Sequence, residues 1–247
     1  MRVRQPLRTL LLTLAITLGI AAAAAADVTV VTHYTLLGGD TLTRNNYFSP
    51  KRVRVTAPDG KEFVFNRKGD SLTVIDHATR RYWTGPRKLA DSIATRMMDA
   101  NQGNWRETAA ADPVAWGARV KAFNDSIRMV PTLRNRKIAG YPADEYVLTA
   151  GTYLRNERWI AQGLSVPNYG PEVQKAVMAT IKDPLGRVLM RMLINARTKS
   201  GMVMASYATF RTLNQDGFFG FEAQKVISGS IPRDAWTVPE GYSQITF

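Results

Sequence analysis

From Lys51 to Trp83 apolar and polar residues alternate with a period near two, interrupted by two turn signatures. The pattern predicts a four-strand antiparallel meander made of Arg52 to Thr56, Lys61 to Phe65, Ser71 to Ile75 and Arg80 to Trp83. Pro58-Asp59-Gly60 and Lys68-Gly69-Asp70 supply the backbone angles that hairpin turns need. Val53, Val55, Phe63 and Phe65 then share a hidden face, while Arg52, Arg54, Lys61 and Asn66 tolerate water.

The same period runs through Val28 to Leu37, where Val28, Val30, Thr32 and Tyr34 oppose Thr29, Val31, His33 and Thr35. Gly38-Gly39-Asp40 turns this strand, and Thr41 to Phe48 pairs back. Further strands are predicted over Arg128 to Leu133, Asp144 to Thr149, Tyr153 to Ala161, Gly201 to Leu213 and Phe218 to Ile231. Ala139-Gly140-Tyr141-Pro142 and Asp216-Gly217 mark two of the turns between them.

Two stretches switch to helical spacing. In the first, Leu89, Ile93 and Met97 follow Pro86, and Trp116, Val120, Phe123 and Ile127 follow the Asp112-Pro113 cap. In the second, Val173, Val177 and Ile181 precede the Asp183-Pro184 break, and Leu185, Val188, Leu189 and Met192 follow it. Amphipathic helices need a surface to lie on, and the hidden sheet face is available. The expected class is therefore α+β, a curved antiparallel sheet with helices packed on its concave apolar side.

Ahead of Asp27 the pattern differs again. Arg2, Arg4 and Arg8 precede an apolar segment from Leu10 to Ile20 and a run of alanines, which reads as a signal peptide over residues 1–26 cleaved near Ala26. Export to the periplasm and one folded domain over residues 27–247 follow as expectations. Removing three arginines and no acids lowers the formal charge from +13 to +10. A surplus of this size in an envelope compartment favours an acidic envelope protein or a membrane surface as partner, not nucleic acid. There is no cysteine, which excludes disulfides, thiolate metal sites and a thiol nucleophile.

Little in the chain carries reaction chemistry. Its two histidines are His33, in a strand, and His77, in a turn beside Asp76. No Gly-x-Ser-x-Gly, metal-ligand spacing, phosphate loop or dinucleotide fingerprint accompanies them, so neither an enzyme nor a cofactor or metal is expected. Methionines concentrate in the helical stretches and the strand after them, which suits a soft, adaptable interior. Val53, Val55, Phe63, Phe65, Val74, Met178, Met190 and Met204 are the expected ligand-lining residues. Arg187 and Arg191, one helical turn apart, are the expected contacts to a ligand head group. The chain ends on Phe247, as outer-membrane barrel chains often do, but the short strands and their helical interruptions argue against a barrel.

Several motifs together resemble the periplasmic lipoprotein-carrier superfamily of LolA/LolB-like half-barrels, and within it an exported bacterial family of unknown function. They are Arg52-Val53-Arg54-Val55, Leu72-Thr73-Val74-Ile75-Asp76, Tyr82-Trp83 and Arg136 to Tyr146. Glu157-Arg158-Trp159-Ile160-Ala161 and Trp236-Thr237-Val238-Pro239-Glu240-Gly241-Tyr242 complete the set. The resemblance implies an open, strongly curved half-barrel with helices in its concave side, where the carriers hold acyl chains. It implies a soluble periplasmic protein that binds or carries a lipid or acyl-type ligand in that cleft. The alternative expectation is an envelope interaction or sensory module whose cleft is filled by its own helices.

Overall fold

The computed structural model describes residues 27–86 apart from 37, 58, 59, 68 and 69. It further describes 114, 115, 118, 121, 122 and 125–166 apart from 153 and 165, and 201–246 apart from 212–215. Their architecture is a single 12-stranded sheet. Its strands are β1 (Val28–Thr35), β2 (Thr41–Phe48), β3 (Arg52–Thr56), β4 (Glu62–Asn66), β5 (Ser71–Asp76) and β6 (Arg81–Pro86). They continue as β7 (Ile127–Ile138), β8 (Tyr141–Ala150), β9 (Leu154–Ala161), β10 (Met202–Arg211), β11 (Asp216–Ser228) and β12 (Ser243–Gln244). The spatial order is β12-β6-β5-β4-β3-β2-β1-β11-β10-β9-β8-β7. Neighbours run antiparallel except β12, which lies parallel to β6 through Ser243↔Arg81 and Gln244↔Tyr82.

The expected α+β class is corrected by this arrangement, which among the described residues is nearly all sheet. Residues 114, 115, 118, 121, 122 and 125 are helical, and Asp234–Trp236 forms a single 3-10 turn. The helical stripes starting at Leu89, Val173 and Leu185 lie outside those residues. Pro86, expected to open the first helix, instead ends β6 opposite Ser71. A proline lacks the ladder donor and is tolerated at a strand end, so its presence did not by itself mark a helix start. Asp216-Gly217, expected as a turn, likewise begins β11, with Gly217 opposite Phe210.

Local chemistry explains the hairpins. Ala139 and Gly140 both take positive φ, +50° and +88°, and join Ile138 directly to Tyr141. That is a two-residue turn whose twist matches the flanking strands, and glycine supplies half of it without strain. Gly60, at φ +82°, supplies the positive φ in the longer β3–β4 connection, where its amide donates to the Ala57 carbonyl.

Cross-strand registers carry one face through ten strands. Trp83 pairs with Val74, Val74 with Phe63 and Phe63 with Val55. Val53 pairs with Phe48, and Phe48 with Val28. Along β1 the residues of that parity, Val28, Val30, Thr32 and Tyr34, are all buried, as the alternation predicted. From Tyr34 the row passes to Phe221, Ser206, Arg158 and Tyr146 on β11, β10, β9 and β8. We call this face A and its reverse face B.

Two apolar clusters form the core. One joins Val53, Ala57, Phe63, Phe65, Leu72, Val74 and Trp83; the other includes Val28, Val30, Ile138, Trp159, Met204 and Ala205. Phe48 packs against both and makes the two continuous. At the far end of the sheet Arg136 of β7 reaches Glu222 of β11 at 2.8 Å, past three intervening strands. In a flat sheet those strands would lie roughly 19 Å apart, so the β7–β11 end curls toward face B.

Candidate functional site

Face A is the candidate surface. Val53, Phe63, Phe65 and Val74 fall into one cluster, with Val55 packed against it, so the structure brings together five residues expected to line a ligand site. Met204 is fully buried but belongs to the second cluster, at an irregularity where the β9–β10 register shifts between Val203 and Ala205. Met178, Met190, Arg187 and Arg191 lie outside the described residues.

Two polar islands interrupt this apolar face. In the first, Asn46 Nδ2 donates to Tyr34 Oη at 2.6 Å and to Thr32 Oγ1 at 2.9 Å, while its Oδ1 accepts from the Thr56 amide at 3.0 Å. One amide side chain thereby ties β1, β2 and β3 together, and its satisfied bonds make its burial tolerable. Burial pushes the Tyr34 hydroxyl up to about 12, so it stays neutral and useful as a hydrogen-bonding group.

The second island holds Asn156, Arg158 and Ser206. Asn156 Nδ2 donates to Ser206 Oγ at 2.8 Å, and Arg158 Nε donates to Asn156 Oδ1 at 2.6 Å. Arg158 is only 9% exposed, and on its own strand it shares face A with buried Leu154 and Ile160. Burial pulls its guanidinium down to about 10, which leaves it charged at neutral pH. Among the described residues no carboxylate pairs with it.

Near the β4 end of the sheet the polar chemistry is different. Glu62, 4% exposed, receives Arg54 Nε at 2.9 Å and Arg54 Nη2 on the same Oε2. His77 Nε2 stands 3.1 Å from Oε2, and Arg44 Nε 3.6 Å from Oε1, neither aligned as a hydrogen bond. Burial pushes the Glu62 carboxyl up, but His77 and the Arg54 guanidinium outweigh it and hold the group below its usual range.

This hub also fastens the tail of the chain. Arg54 Nη1 donates to the carbonyls of Ala235 and Thr237, each at 3.0 Å. His77 Nδ1 meets the Tyr242 hydroxyl at 2.7 Å, and their rings stand edge to face. Trp236 packs at a tilt against Tyr47, with the Arg52 guanidinium 5.9 Å from its ring. Arg54, expected to face water, is instead covered by this strap and is 8% exposed.

The contacts of both histidines are with neighbouring side chains. Asp76 does not orient His77: its Oδ1 accepts from the amides of Ala78 and Thr79, an ordinary side-chain-capped turn. The imidazole contacts the side chains of Glu62 and Tyr242. His33 meets Thr43 on an exposed part of face B. Among the described residues no group of three or more metal-ligating side chains forms, and no helix is long and apolar enough to cross a membrane.

Sequence reasoning missed Arg158 and Glu62. A signal for the first was present, since the alternation of Leu154, Asn156, Arg158 and Ile160 assigns the arginine to the hidden side. For Glu62 no such signal exists, because the groups gathered at its hub, His77, Tyr242 and the Ala235 carbonyl, come from distant segments.

No family model matches the chain, and no curated protein does. Several solved structures are distantly similar over most of this chain. A LolA superfamily protein from Nitrosomonas europaea is 10% identical, with 86% of this chain and 90% of that one covered and a TM-score of 0.22. MucB from Pseudomonas aeruginosa is 12% identical over 88% of this chain and 58% of its own, with a TM-score of 0.41. An uncharacterised conserved protein from Thermus thermophilus is 7% identical over 94% and 98%, with a TM-score of 0.42. The chain spans 30% of the length of PNGF-II, another similar structure. Identities this low transfer no residue role.

Proposed function

We propose that the protein is an exported, soluble periplasmic module whose single domain over residues 27–247 binds a lipid or acyl-type ligand along face A. In this reading the sheet is a half-barrel, the leader over residues 1–26 is removed, and the role is binding rather than catalysis. The observation that carries it is the row of buried and half-buried residues on face A, from Trp83 and Phe63 through Phe48 and Val28 to Tyr34 and Arg158. Apolar surface of this length, punctuated by a few hydrogen-bonding groups, is the composition of sites that take long apolar ligands. Val53, Val55, Phe63, Phe65, Val74 and Met204 line it in this reading, together with Met178 and Met190. Arg187 and Arg191, outside the described residues, are further head-group candidates in this reading.

Mass spectrometry of solvent extracts from protein purified out of its native periplasm tests this directly, and a co-purifying lipid is the expected result. No lipid in the extract and no response from a fluorescent fatty-acid probe would remove the reading.

A second reading has its own observation. β7 is the last strand of the sheet, and its segment Ile127–Ile138 carries Arg128, Arg134, Arg136 and Lys137 with no acid. Leu133 projects from it 92% exposed at φ +64°. A basic edge with a protruding apolar residue suits an acidic envelope protein or an anionic membrane surface. Salt-sensitive capture of one acidic partner, lost in Arg128→Glu/Lys137→Glu, supports it; binding indifferent to salt counts against it.

A further inference from the structure

We infer that Arg158 anchors the anionic head group, a carboxylate or a phosphate, of a ligand whose apolar part lies on face A. The inference rests on the ligand-binding reading above and deepens it by naming the head-group chemistry and the residue that meets it.

Arg158 differs in the company it keeps from three other arginines of the sheet, buried Arg54 and the more exposed Arg134 and Arg136. Arg54 contacts Glu62, Arg134 contacts Glu145 and Arg136 contacts Glu222. Each of these guanidiniums has its counter-charge within the protein. Arg158 is nine-tenths buried, and among the described residues its polar partner is the neutral amide of Asn156. A cation withdrawn from water without an opposite charge is costly, and the cost is relieved when an anion arrives.

The neighbours are arranged to hold such an anion. Asn156 has committed its Oδ1 to Arg158 and its Nδ2 to Ser206, which fixes the guanidinium plane through its Nε edge. That leaves the terminal nitrogens, the part of the fork that binds carboxylate or phosphate in two places. Ser206 accepts from Asn156, and its own hydrogen is available to donate. Tyr146 and Ser206 flank Arg158 across β8 and β10, and buried Leu148 and Ala208 continue the same face. A head group with two acceptor oxygens and an apolar continuation satisfies both halves of this environment.

The test uses the leader-free protein and three probes of one chain length: a fluorescent fatty acid, its methyl ester and the matching alkyl phosphate. The acid or the phosphate is expected to bind at least about tenfold more tightly than the ester, the scale of one charge-assisted contact. Which of the two binds better identifies the head group. Arg158→Met is expected to lower acid and phosphate affinity to that of the ester while leaving ester affinity unchanged, and Arg158→Lys to restore part of the preference. Equal affinity of the three probes for the unaltered protein overturns the inference without needing any variant. A preference that survives in Arg158→Met also overturns it. If no probe binds, the ligand reading itself fails, and inorganic phosphate decides the anion site alone. A phosphate-dependent rise in Tm lost in Arg158→Met supports the site, and no rise overturns it.

Discussion

Arg54 and Arg158 occupy opposite halves of the same sheet, and both are less than a tenth exposed. Around Arg54 every charge is answered: Glu62 takes two of its nitrogens, and the third bonds two carbonyls of the tail. Around Arg158 the recipient is a neutral amide, held in place by a serine. The contrast separates two uses of a buried cation. One closes a scaffold, drawing β3, β4, the His77 turn and the Ala235–Tyr242 strap into a unit that resists opening. The other keeps its charge without a carboxylate among the described residues, on a face that is largely apolar.

The sharpest way to break this contrast is Glu62→Ala, which strands Arg54 beneath the strap without its counter-ion. A loss of about 3–5 kcal/mol is expected in urea unfolding. A loss of less than about 1 kcal/mol would mean that the hub is no more than a surface pair.

Acid probes the same contact more gently. The Glu62 carboxyl lies below its unfolded value of 4.5, so its contribution is complete above that pH and fades as pH falls through the lower, folded value. Arg44, Arg54 and His77 face this carboxylate, and the buried Tyr34 hydroxyl is near enough to feel its charge. Unfolding free energy measured from pH 6 to pH 3 is expected to drop below about pH 4.5, with the drop reduced in Glu62→Gln.

The opposite sign is expected at the other arginine. Without ligand, Arg158→Met is expected to raise stability by about 1–2 kcal/mol, because it removes a desolvated charge and supplies a side chain of similar reach. A clear destabilisation would place Arg158 among the scaffold cations. The smallest effect concerns the strap: Tyr242→Phe deletes one hydrogen bond to His77 and is expected to cost about 1 kcal/mol. Faster proteolysis confined to residues 232–246 in that variant would show that the strap loosens before the sheet.

The strands were largely legible because their alternation is a local property. The Val28 to Tyr34 parity and the pairing of Val53, Phe63 and Val74 on one face follow from side chains pointing to opposite sides at each step. Strand order was not legible, since nothing near Val28 announces that β1 will lie between β2 and β11. The α+β expectation came from helical spacing in stretches outside the described residues, and it treated Pro86 as an opening helix residue when strand pairing with Ser71 claims it. For the candidate site, the aromatic and aliphatic lining was readable from the same alternation. The charge balance of Arg54 and Arg158 was not, because it depends on partners brought in from β4 and from the tail in one case, and on their absence from the described neighbourhood in the other.

The pairing of β1 with β11 has a consequence for how the chain acquires its shape. Val28 meets Ser228 across an interval of 200 positions, so the first strand keeps one margin bare through nearly the whole of synthesis. Contacts that distant in sequence slow the search for the native arrangement and prolong the life of half-made states. A holdase that grips extended segments until Asp216–Ser228 arrives is therefore expected to raise the yield of a newly made chain more than one that grips collapsed globules.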